Sequence, residues 1–600
     1  VGAAVNDARL DCPHAARCPG CPGIALDREA QRAAKTARLD AAVARFAELA
    51  SSAREPIVAP EPAVGYRTRT KWVADEAGRL GLYARGTHEV VDLRACGVLS
   101  PALTRVIEAL RAVREGCEAL WPRVLRGIDA RETIEGGHGV LLTLTYGPGD
   151  VPDASSLAHA EVELERALAS DGGPPLAVSL SVAERDRTPR VLGTYRIDPT
   201  RARLDRIGEG PPFLAAHGAF VQAHRGTAAA IHVRIVREVT ALGPAPRVVE
   251  LYAGSGALAL RLASAGASVV AVERFAPAIE LLQASAERAG LAPRVRAIVA
   301  DAVEALADPA LRAAEVVVVN PPRRGLPASV RDAVARSAAR LVVYVACDPE
   351  TLARDLAAFA RVGLAASALA PFDMMPQTLE VETVAVLRRA APPAPTVLAQ
   401  AERWVVVDKA PHEPTTPHPE HVVCLLDRVR RLPGFERATP VHRLDVGTSG
   451  ACLFARTPED VPPLQRALSE ADKTYVALVR GIPREKGTVR RPLREQGREQ
   501  PATTRYRRLR VVAGHGLVEA RPEQGRMHQI RRHLASIGHP IVCDARHGHG
   551  PTNRHFEESA ALDRPFLHCA TLRITLDGMA RTVEAPLAPD LRLVLDRLGG

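Results

Sequence analysis

The sequence predicts two folded parts of different class in one chain: a doubly wound, Rossmann-like α/β part, followed by a mixed α+β part. Three observations carry this expectation. From about Phe220 onward, short runs of buried-strand character alternate with helical runs. At Arg389-Ala-Ala-Pro-Pro-Ala-Pro-Thr a proline-rich break ends that alternation, reading as a stiff spacer that spans about 30 Å in polyproline geometry. Beyond the break strands dominate and long helices are few.

Composition bounds the rest. A length of 600 residues makes about four domains a reasonable expectation. With 46% hydrophobic and 25% charged residues the chain is an ordinary globular mixture, not a disordered one. It has no run of 18 or more apolar residues, as a membrane span requires, and Val1-Gly-Ala-Ala-Val-Asn-Asp is too short and too soon acidic for a secretory signal. A cytoplasmic location is expected, without membrane. The net charge of +10 is uneven: residues 401–600 hold 32 Lys and Arg against 24 Asp and Glu, net +8, leaving +2 for the first 400. A polyanion partner is therefore expected at the C-terminal part.

Cysteines mark the first segment. Cys12-Pro-His-Ala-Ala-Arg-Cys18-Pro-Gly-Cys21 gathers three thiols where proline and glycine forbid a helix. Cys96, after strand-like residues 66–74 and 79–83, is able to supply a fourth. Four thiolates suit zinc or an iron–sulfur cluster, and spacing does not choose between them; the bland alternative is unrelated surface thiols. Cys117, on a helical stretch, is assigned to packing. Residues 26–49 read as a helix, and residues 57–210 as mixed strands and helices. Within them Tyr66, Arg67, Arg69, Lys71 and Trp72 form a basic and aromatic stripe, either an RNA grip or an ordinary strand.

In the α/β part, Val248-Val-Glu-Leu-Tyr252-Ala-Gly254-Ser-Gly256-Ala is a strand ending in a glycine-rich turn that opens a helix, where a nucleotide-like ligand can lie. Glu273 ends the next strand, placed to accept ribose hydroxyls. The same pattern fits a dinucleotide enzyme. Two later strand ends separate the readings: Asp301, able to take an adenine amino group, and Asn320-Pro-Pro, a polar-Pro-Pro turn typical of S-adenosylmethionine enzymes acting on nucleobases. The run Leu341-Val-Val-Tyr-Val-Ala-Cys347-Asp-Pro then sets a thiol at the carboxyl end of a buried strand, the ligand side of such a sheet.

Together with Phe220-Val-Gln222, Tyr344-Val-Ala-Cys347-Asp-Pro-Glu-Thr-Leu-Ala-Arg-Asp and the segment from Phe372 to Glu382, these residues resemble the RNA uracil-5-methyltransferase family across residues 10–389. The resemblance implies a [4Fe-4S] cluster on Cys12, Cys18, Cys21 and Cys96. It also implies S-adenosyl-L-methionine against Gln222, Tyr252, Gly254, Gly256, Glu273, Asp301 and Asn320. Cys347 matches the nucleophile that adds to uracil C6, and Glu382 the base that removes the C5 proton. The sequence departs from the family at Asn320 (usually Asp), Ala257 (usually Asn) and Gln377-Thr-Leu-Glu380 (usually His-Thr-Gly-His). The last leaves two carboxylates two residues apart.

After the break, Trp404-Val-Val-Val-Asp-Lys-Ala-Pro reads as a buried strand into a turn. Four segments follow in order: Val441-His-Arg-Leu-Asp445, Asp472-Lys-Thr-Tyr475, Gly525-Arg-Met-His-Gln-Ile-Arg531 and Phe566-Leu-His-Cys. They resemble the pseudouridine synthase family whose signature is His-Arg-Leu-Asp, over residues 399–598. That resemblance implies Asp445 as the catalytic carboxylate, Tyr475 as the base-stacking residue and Arg531 as the partner of Asp445. The arginines between 490 and 510 flank a hairpin and suit phosphates or plain solvent. His547 and His549 have no ligand spacing. Cys424, Cys452, Cys543 and Cys569 are assigned to packing.

The expected organisation is a cysteine-rich segment and the start of a β domain (1–100), the rest of a mixed domain (101–215), a methyltransferase domain (216–389), a linker (390–398) and a pseudouridine synthase domain (399–600). The expected partner is RNA, with large-subunit ribosomal RNA first and tRNA second. The competing expectation is an RNA-binding or ribosome-assembly protein in which only the second site works.

Overall fold

The computed structural model describes residues 10–116, 125–134, 139–147, 149–184, 198–419, 421–495 and 497–599. Cys117 and the first nine residues, which bear on two sequence expectations, lie outside them.

The α/β part is built on an eight-stranded sheet. Five of its strands, Arg247–Leu251, Ser268–Glu273, Val295–Val299, Val316–Val319 and Leu341–Ala346, are mutually parallel. The valine-rich middle strands are buried on both faces, as a parallel sheet covered by helices requires. The last strand, Glu382–Arg389, breaks the doubly wound pattern. It inserts antiparallel between Leu341–Ala346 and Leu364–Phe372. Ala53–Arg54 adds an outer parallel strand to Leu364–Phe372.

The N-terminal helix Arg28–Ala44 is locked onto this part by one carboxylate. Asp373, fully buried, accepts from Arg28 at 2.9 Å and from the equally buried Lys35. Gln31 of the same helix exchanges hydrogen bonds with the backbone N–H and side chain of Gln377, both at 2.9 Å. Tyr66 donates to the carbonyl of Pro376 at 2.9 Å, and Gly23 N–H to that of Gln377 at 3.0 Å. The loop just before Glu382 is thereby pinned by the cysteine segment, the first helix and the segment that carries Tyr66.

A six-stranded sheet carries residues from Arg69–Ala74 to Ala177–Glu184, backed by helices Pro101–Gly116 and Ala154–Ser170. The basic and aromatic stripe runs from the segment just before its first strand, Arg69–Ala74, into that strand, and is not an exposed RNA grip. Tyr66 and Trp72 are core residues, and Arg69 and Lys71 both pair with Asp129 on the neighbouring strand, at 2.8 and 3.4 Å.

The C-terminal part is a ten-stranded, mainly antiparallel sheet. Its strand Val397–Gln400 begins right after the proline-rich spacer. The spacer is not a free tether: Arg428 donates to the carbonyls of Pro393 at 2.9 Å and Ala394 at 3.3 Å. Among the described residues no helix is long and apolar enough to cross a membrane.

Replacing Asp373 by Ala should leave two buried cations without their shared partner and destabilise the fold by about 3–5 kcal/mol. Denaturant unfolding of the variant measures this directly. A loss under about 1 kcal/mol would remove Asp373 from that role.

Candidate active sites

Cys347 lies between the all-buried strand Leu341–Ala346 and the helix Pro349–Arg361, which Asp348 caps by accepting from Thr351 N–H at 2.8 Å. The antiparallel insertion decides its surroundings. The register ends with Ala346 paired to Thr383, which brings the next residue, Cys347, toward Glu382, close enough for the carboxyl to act on the thiol. Sequence reading named both residues, but no local pattern announces this pairing.

Burial, reinforced by Glu382, pushes the Cys347 thiol up to about 12, with Arg323 pulling the other way. Burial raises Glu382 to about 7, again opposed by Arg323 and aided by Glu380. The two nearby carboxylates are not equivalent. Glu382 is 5% exposed, whereas Glu380 reaches outward to Arg38 at 3.5 Å and Arg323 at 3.7 Å.

On the other side of the strand ends, Gln222, Tyr252, Gly254, Gly256 and Asn320 line one cavity. The turn needs its unusual backbone: Tyr252, Gly254 and Gly256 all have positive φ (63°, 55° and 78°). A side chain at Gly256 would run into Leu282, while Gly254 faces open space, so a ligand can lie close to its backbone. Glu273 stands beside this turn, accepting from Gly254 N–H at 3.3 Å and Phe275 N–H at 3.2 Å. Asp301 is at the next strand end but outside the cavity lining, where it caps a helix through Val303 N–H at 2.9 Å. Sequence reading missed Glu250. This buried carboxyl lines the same cavity, is raised to about 8 by burial, and has one oxygen, Oε2, with no hydrogen-bond partner.

Cys12, Cys18, Cys21 and Cys96 line one small, mostly apolar cavity. Burial holds Cys18, Cys21 and Cys96 above the ordinary thiol range, Cys21 at about 11, and Arg67 counters this for all three. Arg67 has Nε and Nη2 buried without a hydrogen-bond partner, which leaves donor capacity and a positive charge beside the thiols. That environment suits an anionic thiolate-bound group. Among the described residues no three His, Cys, Asp or Glu side chains form a group arranged to hold a single metal ion.

In the C-terminal part Asp445 lies in the loop before strand Ser449–Ala455. Arg531, on helix Gln529–Ser536, reaches it at 3.2 Å while holding buried Asp544 through two bonds of 2.7 and 2.8 Å. Burial opposes ionisation of Asp544, but Arg531 and the N–H groups of His547 and Arg546 outweigh it and hold the carboxyl below its usual range. His528 stands 3.8 Å from Asp445 and shares a hydrogen bond with His547 at 3.1 Å, a contact that sequence spacing did not reveal. Tyr475, half-buried, is opposite Cys569 and near Asp445.

The loop of Asp445 is held by buried groups that the sequence did not advertise. Lys409, fully buried and lowered to about 8 by burial, donates to Thr448 O at 2.7 Å, Ala410 O at 3.1 Å and Val446 O at 3.3 Å. Arg564 donates to Gly447 O at 2.9 Å, itself fixed by Asp590 at 2.6 and 2.8 Å. Thr415 bonds both backbone groups of Leu444. On the outer face, Arg505 and Arg507 are exposed but pair with Glu523 and Glu519 at 2.7 and 3.3 Å, so part of the basic run is already neutralised. Cys424, Cys452, Cys543 and Cys569 are all buried.

Two different families match the two parts of the chain. Residues 215–390 match the family described as tRNA (Uracil-5-)-methyltransferase, and residues 403–536 match RNA pseudouridylate synthase. The chain is 32% identical over 388 residues to the 23S rRNA (uracil(1939)-C(5))-methyltransferase RlmD of Chromohalobacter salexigens, covering 64% of this chain and 76% of that one. It is 32% identical over 397 residues to the protein of the same name from Halomonas elongata, covering 64% and 78%. Among solved structures, the Pyrococcus abyssi tRNA (uracil-54, C5)-methyltransferase in complex with S-adenosyl-L-homocysteine aligns over 62% of this chain and 86% of its own, with TM-score 0.48 and 22% identity. Human RNA Pseudouridylate Synthase Domain Containing 4 aligns over 34% and 93%, with TM-score 0.30 and 21% identity.

Proposed function

The chain belongs to the RNA uracil-5-methyltransferase family and carries an RNA pseudouridine synthase domain after it, and from this premise we propose one bifunctional enzyme that methylates uridine at C5 and isomerises uridine in RNA. The observation that supports it is the presence of two assembled sites in two separate sheets: Cys347 close to buried Glu382, and Asp445 paired with Arg531.

At the first site Cys347 adds to uracil C6, which turns C5 into a nucleophilic enolate carbon. S-Adenosyl-L-methionine, when bound, supplies the electrophilic methyl group. Gln222, Tyr252, Gly254, Gly256 and Asn320 line the cavity for it, with Glu273 for the ribose and Asp301 for the adenine. Once C5 carries the methyl group, Glu382 takes the C5 proton, the C5–C6 double bond re-forms and the thiolate leaves. Glu382 suits this task because it is buried against the thiol and poised near neutrality. Glu380, occupied by Arg38 and Arg323, does not compete with it.

At the second site Asp445 starts the isomerisation, by attacking C1′ or by removing a sugar proton, while Arg531 holds it in place through a charge-assisted pair. Tyr475 offers a flat face to the extruded base. A [4Fe-4S] cluster is proposed on Cys12, Cys18, Cys21 and Cys96, its negative charge balanced by Arg67. Its part would be structural, since Gly23, two residues after Cys21, fixes the loop ahead of Glu382. The names of the Chromohalobacter and Halomonas relatives favour large-subunit ribosomal RNA as the substrate.

Cys347→Ala should abolish methylation and spare pseudouridine formation, and Asp445→Ala should do the reverse, as mass analysis of treated RNA would read out. Loss of both products in either variant would count against independent chemistry. Methylation kcat/KM should rise with pH through about 7, since Glu382 is a base only when ionised and burial sets its ionisation there. A profile that stays flat between about pH 6 and about pH 8 in the wild-type protein would remove Glu382 as the base. Protein purified without oxygen should be brown and hold about four iron atoms. Stoichiometric zinc instead would overturn the cluster.

A further inference from the structure

We propose that Arg331, a residue of the methyltransferase part, is a positioning residue for the Asp445 site, acting across the boundary between the two parts through Asp563. The proposal rests on the reading of Asp445 as the catalytic carboxylate.

The loop of Asp445 is gripped by two segments. One runs from Lys409 to Thr415, whose side chains bond Val446 O and Thr448 O at one end and Leu444 at the other. The second carries Arg564, which bonds Gly447 O. The two segments meet at His412 and Asp563, joined by a hydrogen bond of 2.9 Å. That joint is where the other part of the protein enters. Arg331 Nη2 donates to Asp563 Oδ2 at 3.2 Å, and Arg354 Nη1 to Ala561 O at 2.5 Å.

Arg331 is a fixed point, not a mobile surface arginine. It is 3% exposed, and its Nη1 donates to Leu326 O at 2.6 Å and to fully buried Asp355 at 2.7 Å. Asp355 also accepts from Tyr344 O–H and Leu326 N–H, both at 2.7 Å. An arginine clamped in the first core thus fixes the junction between the two segments that hold Asp445. Burial pulls His412 below its ordinary value; burial also opposes ionisation of Asp563, but His412, Arg331 and Arg354 outweigh it and hold that carboxyl well below its usual range. Further contacts keep the parts together around this point: Asp332 with His421 at 3.6 Å, and Asp348 with Arg597 at 3.7 Å.

Losing the clamp lets the joint relax, and displacement of a reacting group by about 1 Å costs on the order of a hundredfold in rate. The test uses the full chain with Asp563→Asn, Arg331→Met and both together, assayed for pseudouridine formation on one RNA. Each single variant should lower kcat on the order of tenfold or more with KM changed less than about twofold, and the double variant should be no worse than the worse single one. Arg331→Lys, which keeps the charge, should recover part of the loss. Wild-type kcat in Asp563→Asn, an effect confined to KM, or losses that multiply in the double variant would each overturn the proposal. Asp445→Ala in parallel separates the two claims: if it is inactive while Asp563→Asn keeps wild-type kcat, the clamp fails and the catalytic reading stands. If Asp445→Ala stays active, the catalytic reading falls and takes the clamp with it.

Discussion

One buried carboxylate, Asp355, fixes most of what surrounds Cys347. It gathers Tyr344 O–H from the strand that ends in Cys347, Leu326 N–H from the loop after Asn320-Pro-Pro, and the guanidinium groups of Arg331 and Arg354. A carboxylate with no exposure is costly unless its lone pairs are filled, and here four donors fill them. The requirement propagates into the sequence. Gly325 has a positive φ of 74° and a side chain there would come within 2.5 Å of Asp355, so the turn and the carboxylate select glycine together.

The second site follows the same plan with opposite charge. A loop carrying an acid must expose one carboxylate while its own carbonyls turn inward, and those carbonyls need donors. Buried Lys409 and Arg564 supply them, each in turn compensated: Arg564 by Asp590, and Lys409 by three carbonyl oxygens that take the three N–H donors of its charged form. Arg531 completes the pattern, since its bidentate hold on Asp544 leaves a single nitrogen directed at Asp445. Each site therefore presents one reactive group on a frame of satisfied buried ions.

What was legible in the sequence was local. A run of six strand-forming residues ending in Cys347 and Pro349, or a glycine-rich turn after Val248-Val-Glu-Leu, fixes its own geometry. Partners far along the chain were not legible. The register that brings Cys347 toward Glu382 depends on an antiparallel strand inserted late, and period-2 alternation says nothing of its neighbour. The stripe from Tyr66 to Trp72 stayed open between two readings for the same reason: alternation reveals two faces but not which is covered, and Asp129, 60 residues beyond Arg69, decides it. Lys409, Arg564 and Arg67 stayed hidden because cations are ordinarily solvated, and only three-dimensional contacts show them buried.

The spacer shows how such contacts change a physical conclusion. A free polyproline tether would let the two sites adopt many separations, and the gain from linking them would follow the statistics of its length. Here Arg428, anchored on Glu413 at 2.9 and 3.0 Å, holds two spacer carbonyls, and Glu413 is the neighbour of His412 at the joint with Asp563. The tether and the interface are thus parts of one network. Under that constraint the separation of the two sites is set by packing rather than by chain statistics. An RNA gains from the linkage only if its uridines can be presented at the spacing the protein imposes, because avidity vanishes when geometry forbids simultaneous engagement.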